Sequence, residues 1–292
     1  MIPRLKIKSP LSKRRWLVKN ATGLIGIVLL FSAIFAAVAG PEVYQVDPDR
    51  AKITRRLTPP VLFGGNMEYP LGTDQIGRDI LSRLLHGARI SLLVACFSVL
   101  ISISVGVPIG LITGYRGGTL DDVIMRVGDA QLSIPFLIMA ITIIAILGPS
   151  LRNVIIILGV TGWIQFGRMV RAETLKLKEE EYITAAKALG AGELRILTVH
   201  ILPNTAPIII VIATFQFALM IIVEASLSFL GLGVPPPTAS WGAMINDGRS
   251  YLQVAWWLTT IPGLAITAVV LGANLFGDWL RDYLDPQLRN IG

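Results

Sequence analysis

"AAKALGAGELRILTVHILPNTAPIIIVIATFQFALMIIV", residues 185–223, joins two kinds of polypeptide in one stretch. Residues 185–195 carry charge and a Gly-x-Gly break. Residues 196–223 contain no Asp, Glu, Lys or Arg at all. As a helix, that uncharged run extends about 42 Å, more than the roughly 30 Å core of a bilayer. The question it sets is why a short polar helix should sit at the end of a membrane span.

Composition supports a multi-span membrane protein. Of 292 residues, 53% are hydrophobic and 15% charged, and the mean hydropathy is +0.66. A soluble domain carries about 25% charged residues. The formal charge of +7 does not indicate nucleic acid. Residues 1–19 hold seven Lys/Arg and no acid, which leaves 19 basic against 19 acidic residues in the remainder. The basicity is a tail beside a membrane helix. Cys96, the one cysteine, lies in an apolar run and reads as a small buried hydrophobe.

Five uncharged runs are long enough to cross: 21–40, 90–115, 130–151, 196–223 and 250–277. A sixth, 153–167, borrows length through Arg168, whose side chain can snorkel. Six crossings place both termini on one side. With that side cytoplasmic, 17 of the 26 Lys/Arg face inward, as the positive-inside rule requires. The "AVAG" at 37–40 resembles a signal-peptidase site, but the 20-residue apolar run, the 19-residue basic region and Pro41 favour an uncleaved anchor. The expected organisation is a tail (1–19), a first span (20–40), an outside loop (41–89), a five-helix core (90–280) that includes a polar loop at 179–203, and a second tail (281–292).

Within the outside loop, "YPLGTDQIGRDILSRLLHGARISL" (69–92) offers Thr73 or Asp74 as a turn cap. From Asp79 onward, Ile80, Leu81, Leu84, Leu85 and Ala88 form a stripe opposite Ser82, Arg83, His86 and Arg89. Such a helix lies in the membrane interface or packs on a neighbour; the pattern leaves both open. His86 and His200 are too far apart in the chain to suggest a metal site. Prolines at 108, 135, 203, 207 and 262 read as kinks tolerated within a bundle.

Catalytic motifs are missing. There is no G-x-x-x-x-G-K-[ST], nor H-E-x-x-H, G-x-S-x-G or C-x-x-C. The chain is therefore not expected to bind cofactor or metal, or to hydrolyse ATP.

In the opening stretch, Glu179, Glu180 and Glu181 favour the start of a helix and Lys187 its finish. Tyr182, Ala185, Ala186 and Leu189 share a face, Gly190 supplies a left-handed stop, and Glu193–Ile201 begins a second helix at an angle. Small alanines allow another backbone to approach closely. The segment reads as a docking knob on the cytoplasmic mouth.

The spacing Ala185-Ala186-x-x-x-Gly190, followed by "HILP" at 200–203, resembles the EAA loop of ABC-importer permeases. Thr184 stands where that family has Glu, and His200 where it usually has an apolar residue. "PLGTDQIGRDILSRLLHGARISL", "HILPN", "EASLSFLGLGVPPPTASWG" (224–242) and "LRDYLDP" are similar to the C-type permease of dipeptide, oligopeptide and nickel importers, over about residues 65–286.

The resemblance implies an all-α bundle of six transmembrane helices with a cytoplasmic coupling helix. It implies pairing with a B-type permease in the lipid bilayer, two ATPase subunits that hold ATP and magnesium, and an extracytoplasmic solute-binding protein. Thr184, Ala185, Ala186, Lys187, Leu189, Gly190, Glu193, His200, Leu202 and Pro203 would form the ATPase-coupling segment. Glu224, the carboxylate that ends the uncharged run, could face a water-filled pathway or pair with a backbone group or Arg249. Peptide and nickel stay open as cargo. A secondary transporter or channel would carry ion-coupling charges at mid-membrane, where this chain has almost none.

Overall fold

The computed structural model describes residues 20–284. The basic tail and the residues after Leu284, Arg289 among them, lie outside the described residues. All regular structure among the described residues is helical.

Helix α1 (Ala21–Val38) is the first span. An irregular loop follows and leads to α2 (Ile80–Arg116), a single helix of 37 residues. Asp79 caps it by accepting from the N–H groups of Leu81 (2.7 Å) and Ser82 (3.3 Å), and Gly117, at φ +63°, ends it. The amphipathic segment and the second span are thus one rod; Pro108 does not break it. The expected polar side of its first turns is not solvated either. Ser82 and Arg83 are buried, because the preceding loop folds over them.

The third crossing differs more from expectation. Instead of a span over 130–151, α3 (Gly118–Leu132) and α4 (Phe136–Leu147) meet at an 86° bend. Pro135 explains the break: it lacks an N–H and pushes the preceding residue out of helical geometry. The fourth crossing extends beyond 153–167, as α5 (Leu151–Thr161) and α6 (Trp163–Leu177) with Gly162 between them. Next come α7 (Glu181–Ala188) and α8 (Leu202–Phe229), the latter entered through a short turn at Glu193–Arg195 and a π-helical stretch at Ile196–Ile201. Pro203 fits that wide turn, because it removes an N–H that would bond residue 199. Helix α9 (Trp241–Gly248), capped by Ser240, precedes α10 (Trp257–Leu284). The last span therefore starts later than residue 250 and runs past 277. With the bent pair counted as one span, the described residues hold six helical segments long and apolar enough to cross a membrane.

Helices α2 and α6 approach backbone to backbone. Gly106, Gly110 and Gly114 lie four residues apart along α2, and a Cβ on them would meet the carbonyl oxygens of Trp163 (2.4 Å) and Gly167 (2.6 Å) and the Cβ of Thr174 (2.7 Å). Small residues at this spacing let membrane helices touch backbone to backbone. The "GVPIGLITG" pattern was visible in the sequence, but its partner face was not. Gly110→Val is expected to destabilise the bundle by roughly 1–3 kcal/mol through overpacking. An unchanged thermal midpoint and membrane abundance would show that the two helices can separate freely.

Outer faces are apolar. Phe31 and Phe35 on α1 are exposed, as are Ile146 and Leu147 on α4. A soluble protein would cover such surface, whereas lipid accommodates it.

Candidate functional site

The bundle has two polar ends, joined by α2. At one end, residues 44–79 fold back over the start of α2 and are tied to α9. Arg78 donates to Asp74 (2.5 Å) and Asp247 (3.1 Å). Arg83, only 3% exposed, lies 3.5 Å from Asp247, 3.6 Å from Asp49 and 4.0 Å from Asp74. Two guanidinium groups thus share three carboxylates. Asp74 also accepts from the N–H groups of Ile76 and Arg78, so the expected turn cap is Asp74 itself. Tyr44 donates to Asp79 at 2.5 Å; burial first, and then this bond to a carboxylate, raise its pKa well above the usual tyrosine range. The Trp257 indole N–H reaches the Thr73 carbonyl at 3.2 Å, and Phe63 stands edge-on to Trp256.

Just below, Glu224 is completely buried. Its carboxylate accepts from Ser91 (3.0 Å) and Ser228 (2.7 Å), and Ser240 donates to Ser228 at 3.2 Å. The residue joins α2, α8 and the start of α9 inside this chain. Within this chain its carboxylate is enclosed, bonded by Ser91 and Ser228 with Ser240 behind Ser228. It does not pair with Arg249, which lies over the Phe229 ring.

The opposite end carries α7. Ile183 is its one fully buried side chain, while Tyr182, Thr184, Ala185, Lys187, Ala188 and Leu189 are exposed and Ala186 is half-buried. The helix closes in a Schellman motif. Ala191 N–H bonds the Ala186 carbonyl (3.0 Å), Gly190 N–H bonds that of Lys187 (2.9 Å), and Gly190 takes φ +82°. The left-handed stop is where the sequence placed it. The second helix of the expected pair is not separate, however, since Glu193 to Ile201 forms the foot of α8. His200, Leu202 and Pro203 belong to that foot and not to the exposed helix.

Sequence reasoning missed what holds α7 in place. Arg116, at the end of α2, donates to both carboxylate oxygens of Glu193 (2.7 and 3.3 Å). Lys187 lies 5.2 Å from the centre of the Tyr115 ring, and Lys178 donates to the Gly114 carbonyl at 3.1 Å. Arg116 and Glu193 are 77 residues apart, beyond any local pattern. The arrangement presents a short helix with a small-residue surface, exposed Leu189 and Leu194, and a rigid mount. Exposed apolar side chains beside small residues are a surface suited to contact with another protein.

Residues 106–290 match the family described as "Binding-protein-dependent transport system inner membrane component". The chain is 43% identical to the di/tripeptide transport system permease protein DppC of Pseudomonas aeruginosa, over 99% of this chain and 96% of that one. It is 42% identical to the dipeptide transport system permease protein DppC of Haemophilus influenzae, over 97% and 96%. Similarity extends to the glutathione transport system permease protein GsiD of Pectobacterium atrosepticum, at 43% over 94% and 88%. Among solved structures, the inward-facing MetNI methionine ABC transporter has a chain that superposes with a TM-score of 0.56. It is 20% identical and covers 70% of this chain and 96% of its own, a likeness of fold.

Proposed function

The chain belongs to the family of binding-protein-dependent transport inner membrane components, and on that premise we propose that it is the C-type permease subunit of an ATP-driven importer of short peptides. The named cargoes of the first relatives, dipeptides and di/tripeptides, favour peptide over nickel. With a B-type permease the chain would form half of the translocation pathway. Two ATPase subunits would dock on α7 and its flanks, and a solute-binding protein would deliver cargo to the end bearing the 44–79 loop.

The observation that carries this reading is the exposed, rigidly mounted α7 on a chain with no phosphate-cradling loop. A docking element without a motor requires a motor elsewhere. The test is purification of the tagged chain from native membranes, followed by reconstitution. It should bring down ATPase subunits, and the reconstituted complex should take up a labelled dipeptide only with ATP and binding protein. Uptake by this chain alone, driven by an ion gradient, would overturn the proposal.

Two expectations follow. The isolated chain should neither bind nor turn over ATP, measured with labelled nucleotide, while the assembled complex does both; turnover that persists after contaminating ATPases are removed would refute this. Orientation is tested by single cysteines in a Cys96→Ser background with a membrane-impermeant reagent. Positions 66 and 247 should label from outside intact cells, and 12, 187 and 289 should not. Asp247 is itself an ion-pair partner, so position 66 is the cleaner probe. Labelling of 187 from outside would invert the topology.

A further inference from the structure

The bend between α3 and α4 opens a recess of about 140 Å³, walled by that bend, the α5–α6 junction at Gly162 and the middle of α8. Gln216 is 13 residues before Phe229, the last residue of α8, which puts it roughly 20 Å below that end at 1.5 Å per residue. Gly162 is 11 residues from Leu151 at the start of α5, roughly 16 Å along the rod. In a core about 30 Å thick, the recess lies near mid-depth. Irregular backbone at such depth is tolerated where it is enclosed by protein or lines a wet cavity. Broken helices at the midplane are a recurrent way to build cargo sites.

Its chemistry is narrow. None of the lining residues is charged, and the polar groups are dominated by three glutamines, Gln131, Gln165 and Gln216. Gln131 is already committed: its amide donates to the Thr161 carbonyl (2.5 Å) and accepts from the Trp163 indole (2.9 Å). Gln216 is different. It is only 6% exposed, yet among the described residues its amide has no hydrogen-bond partner. Gln165, exposed at the rim, has none either. The amide opens onto the recess and is not sealed in protein, so its donor and acceptor stay free to pair with a group that enters.

We propose that this recess is a backbone-binding site for the peptide in transit, in which Gln216 and Gln165 pair with the peptide bond itself. A carboxamide offers a donor and an acceptor side by side, the complement of a peptide C=O and N–H. It does so for any side chain. An uncharged lining lets cargo of either sign pass without a fixed charge to trap it. A metal cation finds no carboxylate, imidazole or thiolate in the recess. This site rests on the short-peptide reading given above.

The experiment uses the full complex in proteoliposomes with its binding protein. The probes are labelled alanyl-alanine and its ester analogue, which lacks the amide N–H, with uptake expressed per ATP hydrolysed. Wild type should move the amide in preference to the ester. Gln216→Leu is close in volume and should lower dipeptide uptake per ATP hydrolysed about tenfold, the scale of one hydrogen-bonding pair. It should also erase the amide preference. Gln165→Leu, at an exposed position where folding is not at stake, should shift both in the same direction. Gln216→Glu should make uptake depend on cargo charge, favouring lysyl-alanine over aspartyl-alanine. If wild type imports no peptide, the importer reading fails. If wild type imports peptide and all three variants match it in coupling, amide preference and charge selection, the importer reading stands and this site is refuted.

Discussion

Tryptophan in place of Ala186 is expected to abolish stimulation of ATP hydrolysis by the loaded binding protein, at near-normal abundance of the chain in the membrane. Ala186 sits half-buried on a helix whose other side chains, apart from the buried Ile183, are exposed, and its carbonyl closes the cap by accepting from Ala191. An indole there enlarges the surface proposed to fit an ATPase subunit. Overpacking one close contact costs roughly 1–3 kcal/mol, about fivefold to 150-fold in affinity. Gly190→Val attacks the same function by another route. Nothing lies within 4 Å of a Cβ at Gly190, so the variant clashes with nothing. Its φ of +82° is nevertheless a left-handed conformation that costs a β-branched residue roughly 1–2 kcal/mol. The turn that aims α7 should relax. Both variants leave Ile183, the buried anchor of α7, in place, so insertion and pairing with the other permease should survive. Stimulated ATPase activity and retention of ATPase subunits on purification are the measurements. Full stimulation and transport in both variants would show that α7 is only a connector.

Arg83→Ala should produce the second large effect, a loss of about 3 kcal/mol in the stability of the loop end. Breaking a buried ion pair typically costs 3–5 kcal/mol, and the low end applies because Arg78 still holds Asp74 and Asp247. Without the Arg83 guanidinium, Asp49, Asp74 and Asp247 repel one another around one remaining cation. The 44–79 loop should loosen from α9, read as a lower thermal midpoint and faster proteolysis within the loop. Arg83→Lys should recover only part of this, since one ammonium cannot reach three carboxylates as a planar guanidinium does. An unchanged midpoint and unchanged protease resistance in Arg83→Ala would mean that the cluster is incidental.

The membrane spans and the α7 turn were legible in the sequence because each is a local property. A run without charge must be about 20 residues long to cross a bilayer, and residues 21–38 meet that condition by themselves. A left-handed stop after an alanine-rich helix calls for glycine, and Gly190 provides it. Even the break in the third crossing had a local mark in Pro135, although five prolines carried the same mark and only this one separates two helices by a sharp bend. The others sit where neighbouring helices continue the rod, or in its first turn.

Polar side chains were another matter. On a helical wheel Arg83 faces water, and Glu224 ends an uncharged run as a pathway residue would. In the folded chain Arg83 is buried among three carboxylates, and Glu224 is closed in by Ser91 and Ser228. Whether a charged group meets solvent or a partner depends on residues far along the chain. Ser91 and Glu224 are 133 positions apart, and Arg78 and Asp247 are 169 apart. The sequence by itself determined the runs long enough to cross and the exposed α7 helix with its glycine stop, because length, charge and backbone handedness act within one segment. Only the tertiary structure decided which polar groups are paired inside the protein and which are not, because desolvation and pairing arise where distant segments meet.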